Sequence, residues 1–186
     1  QSEGRYITFG AKEQEDIVKW CYYLDRLNES GLPLYLYGES LGAAAVLMAS
    51  AHKLPSQVRG LIADSAFCSM KMQMKDMAMN WFHLNWIGLL LLRLDVLCRM
   101  AGGFRMADAD TAASLENNRI PVLFFHGLND TFVDPRNTLY HYSQCKAPKE
   151  MVLVPCARHL CCAYVRPDLY RRKVLEFFGK YDEDYR

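Results

Sequence analysis

The stretch LYLYGESLGAAAVL, residues 34–47, decides the fold because an apolar run passes directly into a run of small residues. The first half is apolar at successive positions, which is typical of a strand that is buried on both faces of a parallel sheet. The alanines of the second half favour a helix that packs closely on that sheet. Ser40 stands at the junction, between Gly38 and Gly42. The sequence therefore predicts a hydroxyl at a tight strand-to-helix corner.

Three further apolar segments have the composition of buried strands. They are VRGLIADSAF at residues 58–67, IPVLFFHGLND at 120–130 and KEMVLVP at 149–155, with helical segments between them. Alternating strands and helices predict an α/β fold, in which a mostly parallel sheet carries helices on both faces. Such sheets place their chemistry at the carboxyl ends of the strands.

The composition predicts one domain over residues 1–186, since 51% of the residues are apolar, 23% are charged and the net charge is +1. Lys and Arg are scattered among nearly equal numbers of acids, which argues against a nucleic-acid partner. The sequence has neither the glycine loops of nucleotide sites nor the ligand spacings of metal sites, so we expect no cofactor and no metal ion. The apolar stretch at residues 86–92 is too short to span a bilayer.

Seven cysteines are scattered along the chain without the spacing of a zinc site. We expect most of them to be buried thiols. Because free thiols favour a reducing compartment, we expect a cytoplasmic protein.

The motif Gly38-Glu39-Ser40-Leu41-Gly42 lies between a predicted strand and a predicted helix, which is the context of a reactive serine. A sharp turn there strains the backbone of Ser40 and holds its oxygen clear of the sheet. The two glycines are expected because neighbouring chain passes too close for a side chain. The backbone N–H of Leu41 is a candidate oxyanion donor. On the motif alone, a plain serine N-cap explains Ser40 equally well.

Asp130 and His159 follow two later strands and supply what a reactive serine needs. Asp130 can orient an imidazole, and His159 has the chemistry of a general base at neutral pH. Asp134 competes with Asp130, but Asp-Pro before a helical segment is typical of a helix start. Ser40, Asp130 and His159 come from three separate strand ends in the order Ser, Asp, His. This order favours a catalytic triad over three unrelated side chains.

Five segments carry a resemblance to a known family: GRYITFGAKEQEDIVKW, YGESLGAAAVL, GLIADSAF, IPVLFFHGLNDTFVDP and ARHLCCAYVRPDLYRRKVLEFF. They resemble the α/β-hydrolase superfamily of serine hydrolases, in a bacterial group whose relatives include peptidases, esterases and depalmitoylating enzymes. The resemblance implies that Ser40 is the nucleophile, His159 the general base and Asp130 the acid that orients His159. Asp64 lies where some branches carry the acid, and it is the second choice.

The resemblance also implies elements that precede this sequence in the superfamily. Its members begin with further strands, and a loop after one of them donates a second N–H to the oxyanion. We therefore expect a domain that is incomplete at its N-terminus, with the second oxyanion donor not in this chain. The first strand would otherwise be an open apolar edge, so we expect a preceding segment or a partner chain to cover it.

Residues 67–106 form an insertion between the second and third strands, where the resemblance implies a lid or an acyl pocket. Its Met-rich composition makes a small molecule with a hydrophobic acyl group the expected substrate, since methionine suits adaptable apolar surfaces. The candidate pocket residues are Phe67, Met70, Met74, Trp81, Phe82 and Trp86. Two alternatives stay open: these residues only cover the sheet, or the apolar face contacts membrane lipid.

The predicted function is that of a serine hydrolase that cleaves an ester, thioester or amide bond through an acyl-enzyme on Ser40. The alternative is a non-catalytic α/β-hydrolase-like domain that is used for binding. The incomplete oxyanion site favours the alternative, and the order of Ser40, Asp130 and His159 favours the enzyme.

Overall fold

The computed structural model describes residues 5–84 and 86–182. Strands and helices alternate along most of these residues. The strands are β1 (Leu34–Glu39), β2 (Val58–Asp64), β3 (Val122–Gly127) and β4 (Lys149–Val154), and the helices are α1 (Glu13–Leu27), α2 (Leu41–Ala49), α3 (Met70–Phe82), α4 (Gly88–Leu97), α5 (Thr111–Asn117), α6 (Arg136–Gln144), α7 (Cys162–Val165) and α8 (Pro167–Tyr181). A turn of π-helix (Cys98–Gly102) and a short 3-10 helix (Met106–Asp108) follow α4.

The strands form one parallel sheet in the order β1-β2-β3-β4. The predicted fold class is confirmed, because helices pack on both faces of this sheet. In the observed register Glu39 lies beside Asp64, and Gly127 lies beside Val154. The carboxyl ends of the strands therefore share one edge, and residues that are distant in the chain meet there.

Alternate residues of the two central strands pack on opposite faces of the sheet. Leu61 and Phe124 belong to a core cluster with residues of α2 and α5. Ile62 and Phe125 belong to a second cluster, which includes Phe177 of α8. Because both faces are buried, these strands are apolar throughout and show no alternation of polar residues.

The helices differ from the sequence-based expectation at two places. The sequence predicts one last helix from Leu160 or later, and the structure divides this segment into α7 and α8. Pro167 occupies the first position of α8, where its missing N–H is tolerated. Helix α5 is not predicted from the sequence. It begins after Asp110, whose side chain accepts hydrogen bonds from two backbone N–H groups of the first turn.

Residues 67–106, which we call the cap, leave the sheet after β2 and contain α3 and α4. The base of the cap is closed, because Ser69 forms an antiparallel bridge with Asp110 and the Thr111 N–H donates to the Cys68 carbonyl. An apolar cluster that includes Met48 of α2 joins the cap to the rest of the domain. The cap is therefore a compact insertion on the α2 side of the sheet.

Within the described ranges, each helix is too short or too polar to cross a membrane. The seven cysteines are free thiols, and five of them are buried. The expectation of mostly buried thiols is confirmed.

Candidate active site

Ser40 stands on the turn between β1 and α2 in a strained backbone conformation. Its φ is +51° and its ψ is −114°. A positive φ is costly for a residue with a Cβ, by about 1–3 kcal/mol. The Ser40 N–H donates to the Asp64 carbonyl at 2.8 Å, which holds the turn against β2. The hydroxyl caps no N–H of α2, so the explanation of Ser40 as a plain N-cap is wrong.

The two glycines of the motif differ in their surroundings. A Cβ on Gly38 would lie 2.4 Å from the backbone of Gly42, so only glycine fits at position 38. A Cβ on Gly42 would meet nothing within 4 Å. The expectation that neighbouring chain leaves no room for a side chain is therefore right for Gly38 and wrong for Gly42. The chain that approaches Gly38 is the backbone of Gly42 itself.

His159 lies between Ser40 and Asp130 at the carboxyl edge of the sheet. Its Nε2 is 3.0 Å from Ser40 Oγ, and its Nδ1 is 2.7 Å from Asp130 Oδ2. A carboxylate only accepts, so Nδ1–H donates to Asp130 and Nε2 is left to accept from the Ser40 hydroxyl. The structure thus brings the three candidate side chains together in the geometry that a nucleophile and a base require.

Hydrogen bonds from four sides surround the Asp130 carboxylate. Its Oδ1 accepts from the backbone N–H groups of Phe132 and Val133, both at 2.9 Å. Its Oδ2 accepts from His159 and lies 3.3 Å from His126 Nε2. Burial disfavours the charged form, but these hydrogen bonds outweigh burial and hold the pKa of Asp130 well below its usual range. The carboxylate is therefore ionised at neutral pH.

His126 is fully buried at the end of β3 and fixes the loop that carries Asp130. Its Nε2–H donates to the Val133 carbonyl at 2.9 Å, and its Nδ1 accepts from the Thr138 hydroxyl at 2.6 Å. The sequence suggests for His126 only a role at the Gly127 turn, whereas the structure shows that it also braces Asp130. In the sequence, the sign of this role is that His126 ends an apolar strand four residues before Asp130.

The loop of Asp130 and the loop of His159 are joined through their backbones. The Asn129 N–H donates to the Ala157 carbonyl at 2.9 Å. A Cβ on Gly127 would lie 2.4 Å from the oxygen of that same carbonyl, so glycine is required at this position. The spacing of the acid and the imidazole is therefore fixed by backbone contacts.

The two competing carboxylates lie elsewhere, and among the described hydrogen bonds neither contacts His159. Asp64 ends β2, is buried, and accepts from the Ser65 hydroxyl at 2.9 Å. Burial raises the pKa of Asp64, and hydrogen bonds from Ser65 and Cys162 offset this only in part. Asp134 accepts from the backbone N–H of Arg136 at the start of α6, as the sequence predicts for a helix start.

The backbone N–H of Leu41 is the first of helix α2. The first N–H groups of a helix lack intrahelical acceptors, so this group is available to an oxyanion beside Ser40. In the ranges that the structure describes, no group of three or more His, Cys, Asp or Glu side chains is arranged to hold a metal ion.

Three of the candidate pocket residues lie beside the site. Phe67, Met70 and Met74 belong to an apolar cluster that also contains Leu41 and Val133. Leu41 follows the serine in the chain, and Val133 belongs to the loop of the acid. This cluster therefore places apolar surface next to Ser40 and the Asp130 loop.

The other three candidate pocket residues lie further out on the cap. The ring of Trp81 packs on Phe132, with centroids 5.4 Å apart. Phe82 is 67% exposed and Trp86 is 81% exposed, so the structure places both on the surface.

A series of contacts from the cap to His159 is not predicted from the sequence. The Phe132 ring lies 4.8 Å from the His159 ring, and Trp81 packs against Phe132. Gln73 of α3 is buried and donates from Nε2 to the Phe132 carbonyl at 2.7 Å. Its Oε1 has no hydrogen-bond partner among the described residues. The signal in the sequence is a single glutamine among the methionines of α3.

Comparisons with known proteins agree with this architecture. The model of the prolyl oligopeptidase family (peptidase S9) matches residues 6–183. The uncharacterised protein YqkD of Bacillus subtilis is 25% identical over 185 residues, which cover 98% of this chain and 60% of that protein. The chain therefore spans less than two thirds of the length of this curated relative.

Solved structures of other proteins share the fold. The Pyrococcus furiosus esterase Pf2001 has a TM-score of 0.69 and 21% identity, over 97% of this chain and 66% of that chain. A puromycin-hydrolyzing peptidase of Mycobacterium tuberculosis has a TM-score of 0.70 and 15% identity, over 93% of this chain and 26% of that chain. The resemblance to the α/β-hydrolase superfamily, and with it the α/β-hydrolase fold, is confirmed.

Proposed function

The chain belongs to the prolyl oligopeptidase family, and on that premise we propose that it is a serine hydrolase that cleaves an ester, thioester or amide bond through an acyl-enzyme on Ser40. The position of His159 carries the proposal, because its imidazole contacts Ser40 Oγ at 3.0 Å and Asp130 Oδ2 at 2.7 Å. A serine beside a base that a buried carboxylate orients has the geometry of an activated nucleophile.

Acylation begins when Ser40 Oγ attacks the acyl carbon of the substrate. The Ser40 proton passes to His159 Nε2, and Asp130 stabilises the imidazolium through Nδ1–H. The electron pair of the carbonyl moves onto its oxygen, where the Leu41 N–H stabilises the negative charge. When the carbonyl re-forms, the bond to the leaving group breaks, and the leaving group takes the proton from Nε2.

Deacylation repeats these steps with water as the nucleophile. His159 Nε2 takes a proton from water, and the oxygen of that water attacks the acyl carbon. Collapse of the second tetrahedral intermediate releases the acid, and Ser40 Oγ takes its proton back. Asp130 stays ionised throughout, since its hydrogen bonds hold its pKa well below its usual range.

We propose a hydrophobic acyl group, with residues 67–106 acting as a lid over its pocket within the single domain. The apolar cluster of Phe67, Met70 and Met74 next to Leu41 supports this choice. The packing of Trp81 on Phe132, beside His159, supports an apolar surface on the other side of the scissile bond. An esterase and a peptidase with the same fold support an ester or an amide bond as candidates.

The outer edge of β1 also belongs to the proposal. β1 pairs with β2, and within the described ranges no strand pairs with its other side. We propose that a preceding segment or a partner chain covers this edge and brings the second oxyanion donor. Because loss of one donor costs about 10²–10³ in turnover, we expect weak turnover by the 186 residues alone.

A fluorophosphonate probe tests the proposal, since it reacts with serine hydroxyls that a base activates. We expect the probe to label the wild-type chain and to leave Ser40→Ala unlabelled. Ser65→Ala is the matched control. Ser65 also follows a strand and has a positive φ of 56°, but its hydroxyl donates to Asp64. Ser65→Ala is therefore expected to label like the wild type.

A folded wild-type chain that takes no label would contradict the enzyme and favour a non-catalytic binding domain. Where labelling succeeds, nitrophenyl esters of increasing acyl length test the substrate proposal. We expect kcat/KM to rise from acetyl to longer acyl groups. A preference for acetyl would count against a hydrophobic pocket.

A further inference from the structure

Helix α4 is apolar on the side where a surface helix is normally polar. Its inward side is narrow: Leu91, Leu94 and Cys98 pack on the apolar cluster beneath the cap. Within α4 itself no residue is fully buried. Most of this leucine-rich helix therefore faces outward.

Large apolar side chains on and beside α4 are exposed, and we call six of them the cap apolar face. They are Phe82, Trp86, Leu90, Leu92, Leu97 and Met100. Trp86 and Met100 are the most exposed of the six, at 81% and 80%. Adjacent apolar side chains with such exposure indicate a surface that binds something.

The cap also carries an excess of positive charge. Residues 67–106 contain five Lys or Arg and two Asp, which gives a net charge of +3, whereas the whole chain has +1. Arg99 is paired with Asp95 at 2.6 Å and Arg105 with Asp108 at 2.9 Å, which leaves Lys71, Lys75 and Arg93 as the cap cations without a described ion pair. The positive charge of the chain is therefore concentrated where its apolar side chains are most exposed.

A cavity of about 400 Å³ beside α4 has both apolar and cationic side chains in its lining. Leu91 and Leu92 line it together with Lys71, Arg99, Arg105 and the acid Asp95. Arg99 and Arg105 are ion-paired with Asp95 and Asp108, so Lys71 is the cation of this lining without a described ion pair. Cations next to apolar surface suit a phospholipid, because its phosphate binds cations and its acyl chains bind apolar side chains. A second copy of the chain is a poorer match, because two symmetric caps of net charge +3 would repel each other.

We propose that the cap apolar face docks on an anionic lipid bilayer surface. The apolar side chains enter the boundary between headgroups and acyl chains, and the cap cations meet the lipid phosphates. The binding is peripheral and does not require the chemistry of Ser40.

Vesicle flotation of the full 186-residue chain tests this proposal. The probes are vesicles of phosphatidylcholine alone and of phosphatidylcholine mixed with phosphatidylglycerol. We expect binding to the mixed vesicles to be at least about tenfold stronger than to phosphatidylcholine alone, and to weaken with added salt. Equal binding to both kinds of vesicle, or binding to neither, would overturn the proposal.

A pair of double variants locates the binding surface. Leu90→Ser with Leu97→Ser removes two leucines of the cap apolar face, and we expect vesicle binding to fall at least about tenfold. Leu24→Ser with Leu27→Ser is the matched control on α1, where these leucines are 42% and 62% exposed. The control should bind vesicles like the wild type. An equal loss in both double variants would contradict the assignment to the cap.

Two further measurements separate lipid binding from loss of folding and from association of two copies of the chain. Thermal unfolding must show that the Leu90→Ser, Leu97→Ser chain is folded, and its fluorophosphonate labelling should match the wild type. Sedimentation velocity without lipid is expected to show no association through the cap, so the wild type and the Leu90→Ser, Leu97→Ser chain should sediment alike. A dimer that the cap variant abolishes would instead assign the face to a second copy and overturn the lipid assignment.

Discussion

Asp64 and Asp130 are two buried carboxylates at the ends of neighbouring strands, and their pKa values are shifted in opposite directions. Their exposed fractions are 2% and 5%. The pKa of Asp64 is raised because burial outweighs its two side-chain donors. The pKa of Asp130 is lowered because two histidines and two backbone N–H groups outweigh burial.

The comparison shows that enough hydrogen-bond donors can outweigh the effect of burial and keep a buried carboxylate charged. Asp130 obtains its backbone donors from a loop that folds back on it at Phe132 and Val133. Asp64 is the last residue of a strand, and its backbone neighbours are committed to the sheet. A carboxylate on a loop can therefore collect donors that a carboxylate on a strand cannot.

The largest expected effect separates the two carboxylates by activity. Asp130→Asn keeps the shape of the site but removes the charge that orients and stabilises His159. We expect kcat on a nitrophenyl ester to fall by about 10⁴. Asp64→Asn should change kcat by less than about tenfold, since Asp64 has no described contact with His159. A loss in Asp64→Asn as large as that in Asp130→Asn would make Asp64 the acid of the triad.

The second prediction concerns stability and its dependence on pH. Because its folded pKa is depressed, Asp130 stabilises the fold above about pH 4, and this contribution is lost as the pH falls through the lower folded value. Asp130→Asn should therefore lower the free energy of unfolding at neutral pH by about 1.5–3 kcal/mol. Urea unfolding at a series of pH values measures this deficit, which should shrink below about pH 4.

Substitution of Asp64 is expected to change the free energy of unfolding in the opposite direction in the same experiment. Its raised folded pKa means that ionisation costs stability as the pH rises above about 4. Asp64→Asn is therefore expected to raise the free energy of unfolding at neutral pH by up to about 1 kcal/mol, with no gain at low pH. Parallel pH profiles for the two variants would contradict the distinction drawn from their donors.

The smallest expected effect tests the support of the Asp130 loop from the cap. Gln73→Met removes the hydrogen bond to the Phe132 carbonyl together with the unpartnered Oε1. We expect kcat to fall about fivefold, which corresponds to one hydrogen bond, while thermal stability changes little. Met79→Leu, on the exposed side of the same helix, is the control. An unchanged kcat in Gln73→Met would show that the loop holds Asp130 without the cap.

The sheet and the proximity of the three candidate side chains could be predicted from the sequence because their signals are local. Each strand is an unbroken apolar run, and Ser40, Asp130 and His159 each follow such a run. The partners of His126 could not be predicted, because Thr138 lies on helix α6 and Val133 on a loop that folds back towards β3. Pairs of this kind depend on tertiary packing, which local patterns do not encode.

The pocket residues show the same limit. Met70 and Trp86 carry equivalent signals in the sequence, since both are large apolar residues of one insertion. The structure buries Met70 and leaves Trp86 81% exposed. Tertiary packing decides which apolar residues of the cap turn towards the sheet, and local patterns do not encode it.

The backbone contact between Asn129 and Ala157 has a consequence for motion within the site. Because the two loops share that hydrogen bond and the close approach at Gly127, a displacement of the Asp130 loop is transmitted to the His159 loop. The Ser40 N–H is tied instead to Asp64 on β2. We therefore expect the 3.0 Å contact of Ser40 Oγ with His159 Nε2 to vary more in thermal fluctuation than the contact of His159 with Asp130.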